Sequence, residues 1–158
     1  MRLVMIVATA AALALPAAAA SFRQVGLEVL QPWSRPAAAG TNGIGYMTLV
    51  NHGAGADALV AVESPLAAAV EIHRSSMAGG VMSMSREARV PLPPGGQASF
   101  AAGSRHLMFL RLKAPLKPGD RLPATLVFAS GARLKADFQV GTAAPAAEGG
   151  MDHMQMGH

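Results

Sequence analysis

Two histidines and two methionines stand at a spacing that can build a soft metal site: His73, ten residues, Met84, twenty-one residues, His106, one residue, Met108. Thioether sulfur is a poor donor to Zn2+, Ca2+ or Mg2+. It suits Cu(I), and imidazole is a compatible partner. Four neutral donors leave the bound ion at a charge of one and favour the reduced state over Cu(II). The same chain holds ten Met, five His and no Cys. Lack of Cys excludes disulfide frameworks, thiolate nucleophiles, zinc fingers, iron–sulfur clusters and a blue-copper electron-transfer site.

These residues need strands to hold them. In RHLMFLRLK, residues i and i+2 of a strand share a face, so His106 and Met108 point one way and Leu107 and Phe109 point to the core. Taken alone, that pair also fits a half-buried strand in which Met is packing filler. In EIHRSSMAGGVMSM the glycines mark a hairpin. A loop of Ala78-Gly79 sets His73 opposite Met84. A loop of Gly79-Gly80 sets Met84 opposite Ser75, with His73 on the neighbouring diagonal of the same face. A three-residue loop without a bulge would separate them. Met77 and Met82 lie near and read as core or wall packing, with the alternative that Met82, which shares strand parity with Met84, lines the site or acts as a transient ligand. His52 sits in an Asn/Gly turn and reads as a loop histidine. Trp33 and Tyr46 read as core.

A second group of donors closes the chain. The tail MDHMQMGH holds Met151, His153, Met154, Met156 and His158, with Asp152 as an oxygen donor. His/Met-rich tracts read as metal binding. Imidazole, carboxylate and thioether on one segment can accept Cu(II) as well as Cu(I).

Residues 1–20 read as a cleavable export signal. Arg2 supplies the charge, residues 3–15 the apolar run, Pro16 the break and Ala18-Ala19-Ala20 the cleavage motif, leaving Ser21 as the new N-terminus. The run is shorter than the ~20 apolar residues of a membrane span, so no stable insertion is expected after cleavage. With no Cys after the signal, a lipid-anchored form is not expected either. The expected compartment is a bacterial periplasm. There thioethers hold Cu(I) without the disulfide chemistry open to thiols. Without Arg2 the mature chain carries 12 basic and 9 acidic side chains. Arg105, Arg111, Lys113, Lys117 and Arg121 crowd one region and read as a solvated face. Neither the compartment nor interleaved aromatics support nucleic-acid binding.

Residues 21–140 show seven to nine short strands with turn punctuation and no sustained helical period, which points to an all-β antiparallel sandwich or barrel. VGLEVLQPWSRP is expected to be a strand that ends at proline. Pro65 interrupts the alanine-rich AVESPLAAAVE and argues against a helix there. Residues 141–158 divide into a linker of flexible composition, GTAAPAAEGG, and the His/Met tail.

The spacing of His73, Met84, His106 and Met108 resembles the signature of the periplasmic copper-A chaperone family, PCuAC. PWSRP, GYMTLVNHG, GVMSM and HLMFLRLKAPLKPGD are similar to blocks of that family. The resemblance implies a cupredoxin-like Greek-key fold and Cu(I) held by the four side chains. It also implies copper delivery to a respiratory cytochrome oxidase, to its copper-A domain or through a thiol-based copper insertion protein. Some members carry a His/Met-rich C-terminal extension like this one. Many have Met directly after the first His. Here that residue is Arg74, which cannot ligate copper.

The expectation is therefore a monomeric metal carrier and not an enzyme. A copper-resistance buffer would use the same ligands without a specific acceptor. An oxygenase with an N-terminal His brace is disfavoured by Ser21. Hydrolase chemistry lacks an acid at telling spacing from His73, Ser75 and Ser76, and there is no nucleophile elbow. A metal-free adhesion sandwich would leave the Met and His without a role.

Overall fold

The computed structural model describes residues 21–24 and 26–145. The signal segment and the tail donors Met151, His153, Met154, Met156 and His158 lie outside the described residues. Eleven strands follow one another: β1 (Ser21–Gln24), β2 (Leu27–Ser34), β3 (Gly43–Asn51), β4 (Asp57–Glu63), β5 (Ala67–Ala78), β6 (Val81–Arg86), β7 (Val90–Leu92), β8 (Gln97–Phe100), β9 (Arg105–Leu112), β10 (Arg121–Phe128) and β11 (Arg133–Val140). Among the described residues there is no helix. The all-β class expected from the turn punctuation is what forms, with short β1, β7 and β8 raising the strand number.

The strands join in the order β6-β5-β9-β8-β3-β2-β11-β10-β4-β7, with β1 on β2 and β3 also touching β9. Most pairings are antiparallel. Two are parallel, β2 with β11 and β8 with β9, so the sheet is mixed rather than wholly antiparallel. Period-2 alternation sets the inner surface. In β10 Leu122, Ala124, Leu126 and Phe128 are buried, and in β11 Leu134, Ala136, Phe138 and Val140. β9 contributes Leu107 and Phe109 to the same core. Fully burying one such aliphatic or Phe side chain stabilises the fold by about 1.5–3 kcal/mol.

Among the described residues, two non-glycine positions in the strands depart to positive φ. β2 runs through Pro32 and ends at Ser34, two residues short of Pro36. Its pairing with β3 shifts between Leu30 and Trp33, and Gln31 there adopts φ 47°. A bulge of this kind lets a strand carry proline, which has no N–H for the ladder. The second is at Arg111, with φ 48°, whose N–H donates to Asn42 Oδ1 at 3.0 Å.

Beyond the core the β5–β6 hairpin projects into solvent, and every residue of β6 is exposed. It turns through Gly79 and Gly80, at φ 59° and 76°. Positive φ at both central positions is the hairpin turn whose twist matches its strands, and glycine adopts it without strain.

Gly45 on β3 fills a different role. A Cβ there would lie 2.7 Å from Phe109 Cε2 and 3.2 Å from Phe138 Cε1. Those two rings meet edge to face at 5.7 Å between centroids. A Gly45→Ala chain should lose about 1–3 kcal/mol through overpacking, read as a lower urea midpoint. Gly55→Ala, with no atom within 4 Å of the new Cβ and no positive φ, should stay within about 0.5 kcal/mol of the parent. Equal midpoints for the two variants would contradict this account of the core.

Candidate metal centre

The register of β5 with its two neighbours decides what meets. On β9, His73 stands opposite His106 and Glu71 opposite Met108. On β6, Met84 stands opposite Ser75 and Arg86 opposite His73. The loop is therefore Gly79-Gly80, and Met84 lies on the diagonal from His73. Because side chains alternate, His73, Met84, His106 and Met108 all rise from one face of three adjacent strands. The imidazole centroids are 5.5 Å apart with planes at 74°.

The two rings are held differently. His73 Nε2 meets Glu71 Oε2 at 2.8 Å, and the other oxygen of Glu71 lies 3.6 Å from Arg86 Nη1. The carboxylate can only accept, so the proton belongs on Nε2 and the lone pair on Nδ1. His106 is hydrogen-bonded to the Ser104 backbone. With Nε2 unpartnered, Nδ1 is the nitrogen that donates to that carbonyl. His73 Nδ1 and His106 Nε2 are thus both buried, and neither has a hydrogen-bond partner. Buried polar atoms without partners are uncommon and call for an explanation. Histidines that bind metals donate their second ring N–H to a carboxylate or backbone carbonyl in this way.

His106 is only 6% exposed. Its burial, reinforced by the nearby His73, pushes its pKa below the ordinary histidine value, while the Ser104 hydrogen bond opposes the shift. The neutral ring is the one that can offer Nε2 to a cation. Met108 is half-buried, whereas Met84 is 55% exposed. Among the described residues no three or more His, Cys, Asp and Glu side chains cluster as a metal site. The register instead sets two thioethers, Met84 and Met108, on the face that bears the imidazoles.

Other sequence readings sort themselves by face. Arg74 points away from the imidazoles and pairs with Glu87 at 3.4 Å. Glu87 also takes a two-atom contact from Arg105, whose hydrogen bond holds the Glu87 carboxyl below the usual range, against the opposing effect of burial. Arg105 is therefore half-buried in an ion pair and not part of a solvated face, while Arg111, Lys113, Lys117 and Arg121 are exposed. His52 pairs with Glu28 at 2.6 Å, at a turn away from the imidazole pair. The Trp33 and Tyr46 rings lie 5.1 Å apart at 37°, Tyr46 buried and Trp33 only half-buried, with Arg35 over the Tyr46 ring. Sequence reasoning missed Glu71, Arg86 and Ser104. Glu71, two residues before His73, and Arg86, two residues after Met84, both carried the signal of shared strand parity, whereas the Ser104 contact is made by backbone and carried none.

Residues 27–140 match the family described as LpqE-like, putative lipoprotein LpqE-like. A putative lipoprotein of Leifsonia xyli is 28% identical over 107 residues, 67% of this chain and 64% of that one. An uncharacterized protein of Rickettsia prowazekii is 30% identical over 110 residues, 66% of this chain and 61% of the other. The chain thus spans less than two thirds of the length of these curated relatives. Among solved structures, the apo PCuAC domain from PmoF1 is 30% identical, with a TM-score of 0.66 over 80% of this chain and all of that domain. The copper-bound PCuAC domain from PmoF2 gives 25%, 0.65, 80% and 99%. The Cu(I) form of DR1885 from Deinococcus radiodurans gives 27% and 0.55, over 71% of this chain and 77% of that one. The barrel-like fold is shared with these PCuAC domains.

The tautomers and the shifted pKa are both open to measurement. Imidazole 15N spectra at pH 7.5 should show His73 protonated on Nε2 and His106 on Nδ1, and Glu71→Leu should return His73 to a tautomer mixture. For His106, an unfolded chain protonates near pH ~6.5, above the folded value. As pH falls through that window the unfolded state takes up the proton first, so stability falls with it. The urea midpoint of the parent should therefore drop more between pH 8 and pH 5 than that of His106→Gln. An identical drop in both chains would count against the burial argument.

Proposed function

We propose, from the premise that the chain belongs to the LpqE-like family, that it is an exported copper carrier. It holds Cu(I) between His73, Met84, His106 and Met108 and passes the ion to a cytochrome oxidase, at its copper-A domain or through a thiol-based insertion protein. One observation carries this reading: two buried imidazole nitrogens, His73 Nδ1 and His106 Nε2, lack any partner on a face that also bears Met84 and Met108. Imidazole with thioether selects Cu(I) among common cations. The likeness to PCuAC domains solved with copper supports the same cargo.

The roles follow from the placement. Glu71 and the Ser104 carbonyl fix the tautomers, so no proton needs to leave either ring when the ion arrives. The lowered pKa of His106 keeps that ring neutral into mildly acidic conditions. Met108 closes the site from the half-buried side. Met84, on the exposed strand β6, is the donor that an acceptor's ligands can displace first. Ligand exchange of this kind is binding and release, with no substrate turned over, and the chain acts as a monomeric carrier in the periplasm. The tail donors Met151, His153, Met154, Met156 and His158 extend the capacity to further Cu(I) or Cu(II).

Anaerobic titration of the full chain, read by X-ray absorption, should give Cu(I) with two nitrogen and two sulfur ligands. His73→Ala and Met108→Ala should each weaken binding at least tenfold. Wild-type affinity in both variants would refute the ligand set. Removing residues 141–158 should lower the copper stoichiometry and leave the two-nitrogen, two-sulfur signal. Mixing the loaded chain with an apo copper-A domain should move the ion to that domain. No movement would leave a copper buffer in place of a carrier with an acceptor.

A further inference from the structure

Among the described residues the exposed large hydrophobic side chains are Met77 at 70%, Val81 at 68%, Met82 at 59% and Met84 at 55%. All four belong to the β5–β6 hairpin. Methionine as core filler is present elsewhere, as Met47 at 3% shows. The hairpin methionines fill nothing. Their faces are also sorted. Met77 stands directly opposite Met82, and Met84 opposite Ser75, all on the face that bears His73. Val81 falls on the other face, with Ser76 and Ser83, whose hydroxyls meet at 2.8 Å. Sulfur, and not general apolarity, is what the imidazole-bearing face collects.

Distances favour convergence. Directly opposed Cβ atoms on antiparallel strands lie about 4.5–5.5 Å apart, which applies to Met77 and Met82. Met82 and Met84 are two residues apart on one strand, about 7 Å along it. Each side chain has three rotatable bonds and a polarizable sulfur. The Gly79-Gly80 turn and the Ser76–Ser83 bond hold the backbone register, so only side chains need to move.

We infer that Met77 and Met82 form, with Met84, an outer thioether site that takes up and releases Cu(I), Met84 being the donor it shares with the inner imidazole site. The inference rests on the proposed inner site. An ion reaching the hairpin tip is caught by Met77 and Met82, gains Met84, then exchanges the tip sulfurs for His73, His106 and Met108. Release runs the same exchanges in reverse. The ion stays Cu(I) throughout, and no proton or electron moves.

The test uses the full chain with 13C-labelled methionine methyls and 15N-labelled imidazoles, titrated anaerobically with Cu(I) to two equivalents. Met77 and Met82 methyls should shift together as the ion is added. The double variant Met77→Leu, Met82→Leu keeps volume on an exposed hairpin. It should retain the inner imidazole shifts, yet pass Cu(I) to a chromophoric chelator at least fivefold more slowly. Stationary Met77 and Met82 methyls with responding imidazoles would overturn the outer site and leave the inner one standing, as would an unchanged transfer rate. Stationary imidazoles of His73 and His106 would overturn the inner site and the shared-donor route with it.

Discussion

The candidate centre depends on one constraint, the register of β5 between β6 and β9. A slip of one residue in a sheet sends every side chain of the strand to the opposite face. Here it would set Arg74 among the sulfurs and turn His73 toward Glu87. Four features oppose the slip. Ile72 and Leu107 are opposed and both buried. Arg74 and Arg105 share Glu87 on the far face. The glycine turn admits one hairpin geometry, and Ser76 bonds Ser83 across it. The elements that place the imidazoles are thus ordinary sheet interactions, supplied from the face that bears none of the four donor residues.

That placement has an energetic consequence. A buried polar atom left without a partner costs about 1–3 kcal/mol, and two such nitrogens lie within one ring-to-ring contact. A sheet could avoid the cost by putting Val or Leu at 73 and 106. It instead retains both rings and adds Glu71 and a carbonyl that keep their lone pairs free. On the proposed reading the incoming ion recovers the cost, so loading stabilises the fold by mass action. The same logic accounts for the carboxylate. Directly coordinated, Glu71 would make the site harder and more suited to divalent ions. Bonded to His73 Nε2, it acts through the ring.

How much of this could be read from the residues follows from what strand periodicity can and cannot say. Period-2 alternation put His106 and Met108 on one face and Leu107 and Phe109 on the other. The two glycines limited the hairpin to a few registers, all but one of which kept Met84 beside His73. Those are local rules, and they held. The pairing of β5 with β9 joins segments about thirty residues apart in sequence, and nothing local specifies it. For that reason the meeting of His73 with His106 could not be read from strand periodicity, whereas the Glu71–His73 contact lies within β5 and the place of Arg86 within the hairpin. The parallel pairings of β2 with β11 and β8 with β9, and the bulge that carries Pro32 inside β2, are likewise products of closure. Arg105 looked like one more surface cation because its acid, Glu87, reaches it only across the sheet.

The exposure of the donors is graded across the sheet, and the gradient bears on mechanism. His106 is buried on β9 and His73 half-buried on β5, while Met84 is open on β6 and Met77 and Met82 are more open still. The gradient runs outward along the β5–β6 hairpin, from the imidazole pair toward the Gly79-Gly80 turn. A structural metal site buries and closes all its ligands. On the proposed reading, donors that grow more accessible toward the hairpin tip let ligands be replaced one at a time, from the outside inward. Imidazoles then supply the rigid end of the site, fixed by hydrogen bonds, and thioethers the adaptable end. On the proposed reading, release into an acceptor begins at Met84, the exposed donor on β6, while His106 is the most deeply buried of the four.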